Sequence, residues 1–114
     1  NNPNFNSLPD RALWSELRNG NKRALRTLFL RHHDPLYQYG LAVCSQKPMV
    51  EDCLQELFYQ LWDGRDSLSN VKKVKGYLWI CFRRRLMNRL KGKSYSLRPY
   101  ANMAECTKQE QSVE

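Results

Sequence analysis

The sequence predicts an all-α fold, a compact bundle of about four helices, and two observations support this prediction. Apolar residues recur at spacings of three and four along most of the chain, which is the period of an amphipathic helix. No segment shows the sustained alternation of apolar and polar residues that is typical of a half-buried β-strand. The 114 residues suffice to bury one apolar core without a metal ion or a disulfide.

A short first helix is predicted near the start of the chain. Residues 7–10 (SLPD) resemble a helix start, and the helix should continue to about Arg18. Leu13 and Leu17 fall on its inner face. The turn Asn19-Gly20-Asn21 then ends it.

A long second helix is predicted from Lys22 to about Ser45. Its inner face follows three-and-four spacing through Leu25, Leu28, Phe29, His32, Leu36, Tyr39, Gly40 and Val43. Pro35 lies inside this pattern. Because proline removes a backbone donor and clashes with the preceding turn, we expect a kink or a break near Asp34.

The third helix is expected after the turn Gln46-Lys47-Pro48, from about Val50 to Asp63. Its apolar stripe comprises Val50, Leu54, Leu57, Phe58, Leu61 and Trp62. Both aromatic side chains, Phe58 and Trp62, are expected in the core.

A loop is predicted from Gly64 to Lys75, where turn residues are followed by three lysines. The fourth helix should span about Gly76 to Leu90, and its inner residues are Leu78, Phe82, Leu86 and Leu90. Periodicity is weak beyond this helix. We therefore expect a folded domain over residues 1–92 and a linker or tail over residues 93–114.

Charge is segregated along a chain whose formal net charge is +8. Residues 51–63 carry four acids and no base, whereas residues 67–104 carry ten bases and no acid. The basic stretch combines Lys72, Lys73, Lys75, Arg83, Arg84, Arg85, Arg89, Lys91 and Lys93 with the aromatic residues Tyr77 and Trp79. Such a composition suits phosphate neutralisation beside stacking surfaces, so it favours nucleic-acid binding over a merely solvated helix face.

The acidic segment places a polar stripe on the third helix. Asp52, Gln55, Glu56, Tyr59 and Asp63 are three or four residues apart and share one face. An acidic helix repels DNA. If this face has a partner, we expect a protein that presents Arg or Lys.

Several classes of protein are disfavoured. The four cysteines, Cys44, Cys53, Cys81 and Cys106, form no C-x-x-C pair, so they are expected to be reduced, mostly buried hydrophobes, and no metal is predicted. No Ser/His/Asp, Cys/His or phosphate-loop arrangement is present, so neither an enzyme nor a cofactor is expected. No apolar stretch approaches the roughly 20 residues of a membrane span. The N-terminal residues lack the pattern of a secretory signal, and a cytoplasmic protein is the expectation.

Three segments follow one another in an order that resembles a known family: RTLFLRHHDPLYQYGLAV, VEDCLQELFYQLWDGRD and KVKGYLWICFRRRLMNRLK. They resemble the second conserved region of sigma factors of the extracytoplasmic-function type, over about Ala12 to Lys91. The segment from Asp52 to Trp62 looks like the family's D-x-x-Q-E-x-F-x-x-x-W signature. Tyr77-Leu78-Trp79 before a basic helix resembles a second, less specific hallmark.

The resemblance implies two binding surfaces. One docks on the clamp helices of the largest subunit of core RNA polymerase, through Asp52, Gln55, Glu56 and Tyr59. The other binds promoter DNA at the minus-ten element of the non-template strand, where the loop from Asp66 to Val74 captures an unstacked base and the last helix contacts the backbone. The residues implied for DNA binding are Asp66, Ser67, Ser69, Asn70, Lys72, Lys73, Lys75, Trp79, Arg83, Arg84, Arg85, Asn88, Arg89 and Lys91.

One position departs from the family pattern. Many relatives have Asn where this chain has Arg84, and Asn can help read the flipped base, whereas Arg offers only donors. The family's helix-turn-helix domain is not in the sequence, which indicates a fragment of a longer protein. An anti-sigma protein is a further possible partner in the family, although no residue here identifies one.

Two other functions remain as alternatives. A helix-turn-helix regulator of duplex DNA would need a recognition helix after a short turn, and here a long loop precedes the basic helix. A pure protein-interaction module would leave the basic helix unexplained.

Overall fold

In the computed structural model, which describes residues 5–92, four α-helices surround one apolar core, and no strand occurs in that range. The helices are α1 (Asp10–Arg18), α2 (Lys22–Cys44), α3 (Lys47–Asp63) and α4 (Val74–Leu90). Short 3-10 turns occur at Phe5–Ser7 and at Arg65–Ser67. The all-α prediction is confirmed.

The bounds of α1 and α2 agree with the sequence-based prediction. Between them the chain turns through Gly20, whose φ of 93° lies in the left-handed region. The side chain of Asn21 caps α2 by accepting a hydrogen bond from the Arg23 backbone N–H at 3.0 Å. Beyond Cys44, Ser45 is left-handed at φ 63° and ends the helix.

A kink or a break was predicted near Asp34, and the break does not occur, because α2 is helical without interruption through Pro35. Pro35 itself is exposed, whereas His32, Leu36 and Gly40 are buried on the inner face. Packing of that face stabilises the helix although proline lacks one backbone donor.

Helices α3 and α4 each begin earlier than predicted. α3 starts at Lys47 rather than near Val50, because Pro48 lies in the first turn, where a missing backbone N–H is tolerated. α4 starts at Val74 rather than Gly76, and Val74 is buried. The apolar contact of Val74 with the core extends the helix into the predicted loop.

The core is formed by the inner faces of all four helices. α3 packs against both α2 and α4, and α1 packs across α2 and α4. The predicted inner residues of α1, Leu13 and Leu17, are fully buried. The prediction that Leu90 lies on the inner face of α4 is wrong, because its side chain is 39% exposed at the end of the helix.

Two of the cysteines behave as predicted. Cys53 and Cys81 are buried, and Cys44 is half-buried. Burial raises the pKa of the Cys53 thiol to about 11, which keeps it protonated and unreactive at neutral pH. Cys106 and the predicted tail over residues 93–114 lie outside the described residues.

Two structural features are absent from residues 5–92. No helix there has both the length and the apolar character needed to cross a membrane. The same residues contain no cluster of three or more side chains able to hold a metal ion.

Candidate functional site

The outer face of α3 presents most of the predicted polar stripe to solvent. Asp52, Gln55, Tyr59 and Asp63 are exposed, and Tyr59 is 61% exposed, which is unusual for a large aromatic side chain. These residues occupy neighbouring turns of one helix. They form a continuous surface that we call the acidic face.

A groove of about 500 Å³ adjoins the acidic face, between α2 and α3. It is lined by Lys22, Leu25, Arg26, Phe29, Gln55, Phe58, Tyr59 and Trp62. The contribution of α2 to this groove was not predicted from the sequence. Helical periodicity separates inner from outer residues, but it does not show which half-buried side chains meet across two helices. The groove combines an apolar floor with basic residues on one wall.

The two aromatic residues predicted for the core differ in their surroundings. Phe58 is 4% exposed and packs edge-to-face on Phe29 with ring centroids 5.1 Å apart, so its core prediction is confirmed. Trp62 is only half-buried. The Arg65 guanidinium lies 4.0 Å from its ring centroid and the Lys22 ammonium lies 5.8 Å away, so two cations flank the indole at the end of the groove.

Glu56, which was predicted to belong to the same stripe, forms an ion pair with Arg89 of α4. Both of its carboxylate oxygens accept hydrogen bonds from Nη2 of Arg89, each at 2.7 Å. This hydrogen bond raises the pKa of the Arg89 guanidinium. One residue predicted to bind polymerase is therefore joined to one predicted to bind DNA.

Arg85 requires a correction. Its side chain is only 2% exposed, and its guanidinium donates to the side-chain oxygen of Gln60 and lies 3.5 Å from the Glu56 carboxylate. Gln60 is itself buried on α3. Arg85 therefore joins α3 to α4 inside the domain, and the prediction that it contacts the promoter backbone does not hold in this structure.

The remaining predicted DNA-binding residues lie on or near the surface. The exposed ones are Asp66, Ser67, Ser69, Asn70, Lys72, Lys73, Lys75, Arg83 and Lys91, and the half-buried ones are Trp79, Arg84, Asn88 and Arg89. The exposed basic residues of α4 and its C-terminal cap are Lys75, Arg83 and Lys91, and we call the surface that they form the basic face.

Trp79 lies on the side of α4 that approaches α2. Its ring packs on Tyr39 with centroids 5.2 Å apart, and its buried N–H has no hydrogen-bond partner among residues 5–92. Only part of the ring is available to stack on a base.

The loop between α3 and α4 alternates buried and exposed residues. Leu68 and Val71 are buried, whereas Ser67, Ser69 and Asn70 are exposed. Buried apolar residues thus attach the loop to the core and leave its polar residues at the surface. The loop and the start of the basic face are adjacent.

Fold and charge together define an all-helical domain that presents an acidic face on one helix and a basic face on the next. The family model for sigma-70 region 2 matches residues 28–95, more than half of the chain. The protein therefore belongs to the sigma-70 region 2 family. Searches of curated proteins and of solved structures returned no significant match. The matched range contains α3, the loop and α4, and it leaves α1 outside.

Proposed function

We propose that this chain is the promoter-melting domain of a sigma factor of the extracytoplasmic-function type, which binds core RNA polymerase and the minus-ten element. The observation that carries the proposal is the separation of an acidic face on α3 from a basic face on α4, within a chain of the sigma-70 region 2 family. The proposed activity is binding rather than catalysis, and it would take place in the cytoplasm.

The polymerase side of the proposal rests on the acidic face and the groove. Asp52 and Gln55 offer exposed acceptors, and Tyr59 offers a large aromatic surface beside the apolar floor. Interfaces derive most of their energy from a few such buried aromatic anchors surrounded by polar groups. A helix of the clamp that presents Arg or Lys would pair with the carboxylates while it covers Tyr59.

The DNA side rests on the basic face and the adjoining loop. Lys75, Arg83 and Lys91 can neutralise phosphates along the strand, since phosphate contacts with Lys and Arg provide most sequence-independent affinity. The exposed polar residues Ser69 and Asn70 can border a pocket for one extruded base. Trapping that base would offset part of the few kcal/mol that unstacking costs.

The alternative function is that of a duplex-binding regulator that never contacts polymerase. This alternative does not explain the groove or the exposed Tyr59 side chain. Preference for single-stranded over duplex minus-ten DNA separates the two functions. A sigma factor should prefer the melted strand in the presence of core polymerase.

The polymerase assignment is tested by reversing one charge on the acidic face. Asp52→Lys should abolish co-purification with core polymerase while the helical circular-dichroism signal is retained, because Asp52 is exposed. Asp34→Lys is the matched control, since the Asp34 side chain is 91% exposed on α2 and does not line the groove. Equal retention of polymerase by both variants would refute the assignment.

A further inference from the structure

Two side chains of α1 hold the backbone of the loop between α3 and α4. Trp14 Nε1 donates to the Ser69 carbonyl at 2.9 Å, and Arg18 Nε donates to the Leu68 carbonyl at 3.0 Å. These contacts join residues 55 and 50 positions apart in the sequence. They fix two successive carbonyl groups of the loop, one for each donor.

The same loop segment is fixed from the core side. Leu68 and Val71 are 4% and 6% exposed, and between them Ser69 and Asn70 are exposed. Buried side chains therefore anchor both ends of this four-residue segment, while the α1 donors hold its first two carbonyls. A site that reads a ligand by shape needs its groups held to within about 0.5 Å, and such a set of anchors can provide that precision.

Trp14 also connects the loop to the start of α4. Its ring packs edge-to-face on Tyr77, with centroids 5.5 Å apart and an interplanar angle of 73°. Both side chains are fully buried. Trp14 therefore contacts both the loop and the first turn of α4, where the basic face begins, and it fixes their relative positions.

We propose that Trp14 and Arg18 are positioning residues for base selection, which act through the carbonyls of Ser69 and Leu68 and do not touch DNA. The inference rests on the proposed function in one respect, namely that this loop captures the extruded base. α1 lies outside residues 28–95, the range of the sigma-70 region 2 match, so these two residues are an addition to the matched region.

The test measures base preference directly. The full chain is bound to core polymerase and challenged with a premelted duplex whose non-template strand is randomised over the minus-ten element, and bound molecules are sequenced. Trp14→Phe keeps a six-membered aromatic ring and removes the N–H donor. Arg18→Lys keeps the charge but replaces the planar Nε–H donor with a flexible ammonium group, which fixes the Leu68 carbonyl less precisely. Arg11→Lys is its matched control, because Arg11 is exposed on the same helix.

Trp14→Phe and Arg18→Lys should each reduce the preference for the best base over the worst by about fivefold at one position, the factor that corresponds to one hydrogen bond. Polymerase binding and the salt dependence of DNA binding should stay unchanged, which a general loss of structure would not allow. Arg18→Lys keeps the test decisive if Trp14→Phe fails to fold. Arg11→Lys should leave the preference at its original value.

A loop variant, Ser69→Ala with Asn70→Ala, separates this inference from the proposed function. If the loop variant changes base preference and the α1 variants do not, the positioning role is refuted and the loop remains the reader. If the α1 variants change the preference and the loop variant does not, action through the loop is refuted. If neither changes it, the loop does not read the base, and the inference fails together with that part of the proposed function.

Discussion

Arg83 and Arg85 are two positions apart on α4, and the helix turns them to opposite sides. Arg83 is exposed on the basic face, whereas Arg85 is buried against Gln60 and Glu56. Residue type alone makes the two arginines equivalent. Their surroundings leave Arg83 at the surface and place Arg85 in the core.

Substitution of each arginine by Ala should therefore have a different effect. Arg83→Ala should reduce the slope of log affinity for premelted DNA against log salt concentration by about 1, because one phosphate contact is lost. Arg85→Ala should lower the free energy of unfolding by more than about 2 kcal/mol, because a buried hydrogen-bonded network is broken. Urea denaturation and a salt series measure the two effects. If the Arg85→Ala variant is stable and has a reduced salt slope, Arg85 contacts DNA and the core assignment is wrong.

His33 forms a pH-sensitive contact between α2 and α3. Its ring nitrogens bond to Asp34 at 3.1 Å and to Glu51 at 3.2 Å. Burial alone lowers the pKa of His33, but hydrogen bonds and charge interactions with Asp34 and Glu51 outweigh burial and raise it above 6.5. The folded state thus binds this proton more tightly than the unfolded state does.

The contribution of His33 to stability should be fully present below pH 6.5 and should disappear as the pH rises through the raised pKa. Urea denaturation from about pH 5 to pH 8, the range in which histidine changes its charge, measures this contribution. His33→Gln should remove this part of the pH dependence. An identical pH profile for both proteins would show that His33 does not stabilise the contact.

At the scale of elements, Gly40 allows α2 to approach α3 and α4 closely. A Cβ atom at this position would lie 2.6 Å from Cγ1 of Val50 and 3.1 Å from Cζ of Phe82. Val50 is a stiff, β-branched side chain in the first turns of α3. Gly40 is therefore required by the distance between helices and not by its backbone conformation.

Gly40→Ala should destabilise the domain although alanine is the better helix former. Overpacking costs about 1–3 kcal/mol, and the gain in helix propensity is about 1 kcal/mol. Val50→Ala should partly relieve the clash, so the double variant should be more stable than the sum of the two single effects predicts. Additive losses in chemical denaturation would show that Val50 is not the obstacle.

At the largest scale, one ion pair joins the helix of the acidic face to the helix of the basic face. Glu56 lies on α3, and its carboxylate accepts two hydrogen bonds from Arg89 of α4. A change of charge at either residue therefore alters the surroundings of the other. Simultaneous reversal of Asp52 and Glu56 would be a poor test of docking, because it would also disturb Arg85 and Arg89.

Glu56→Gln should consequently affect both functions. It should weaken polymerase binding and, by releasing Arg89 from its carboxylate partner, increase the salt slope of DNA binding by up to about 1. The slope should return to its original value when Arg89→Ala is added to Glu56→Gln. An unchanged slope in the single variant would mean that Arg89 does not reach DNA when released.

The fold class, the existence of the four helices and the segregation of acidic from basic residues can all be predicted from the sequence alone. These properties are local, because the period of apolar residues and the order of charges can be read within one helix at a time. Local propensity alone predicts a break near Asp34 and a late start of α4. Both predictions are wrong, because packing of Leu36 and Val74 against the core overrides local propensity.

Which side chains are available at the surface depends instead on how the helices pack together. Four features depend on contacts between residues of different elements. They are the burial of Arg85, the ion pair of Glu56 with Arg89, the groove between α2 and α3, and the hydrogen bond from Trp14 to the loop. Periodicity shows that a helix has an inner face, but it does not show which residue of another helix meets it. That information arises only when the helices pack, because packing sets the distances on which hydrogen bonds, ion pairs and desolvation depend.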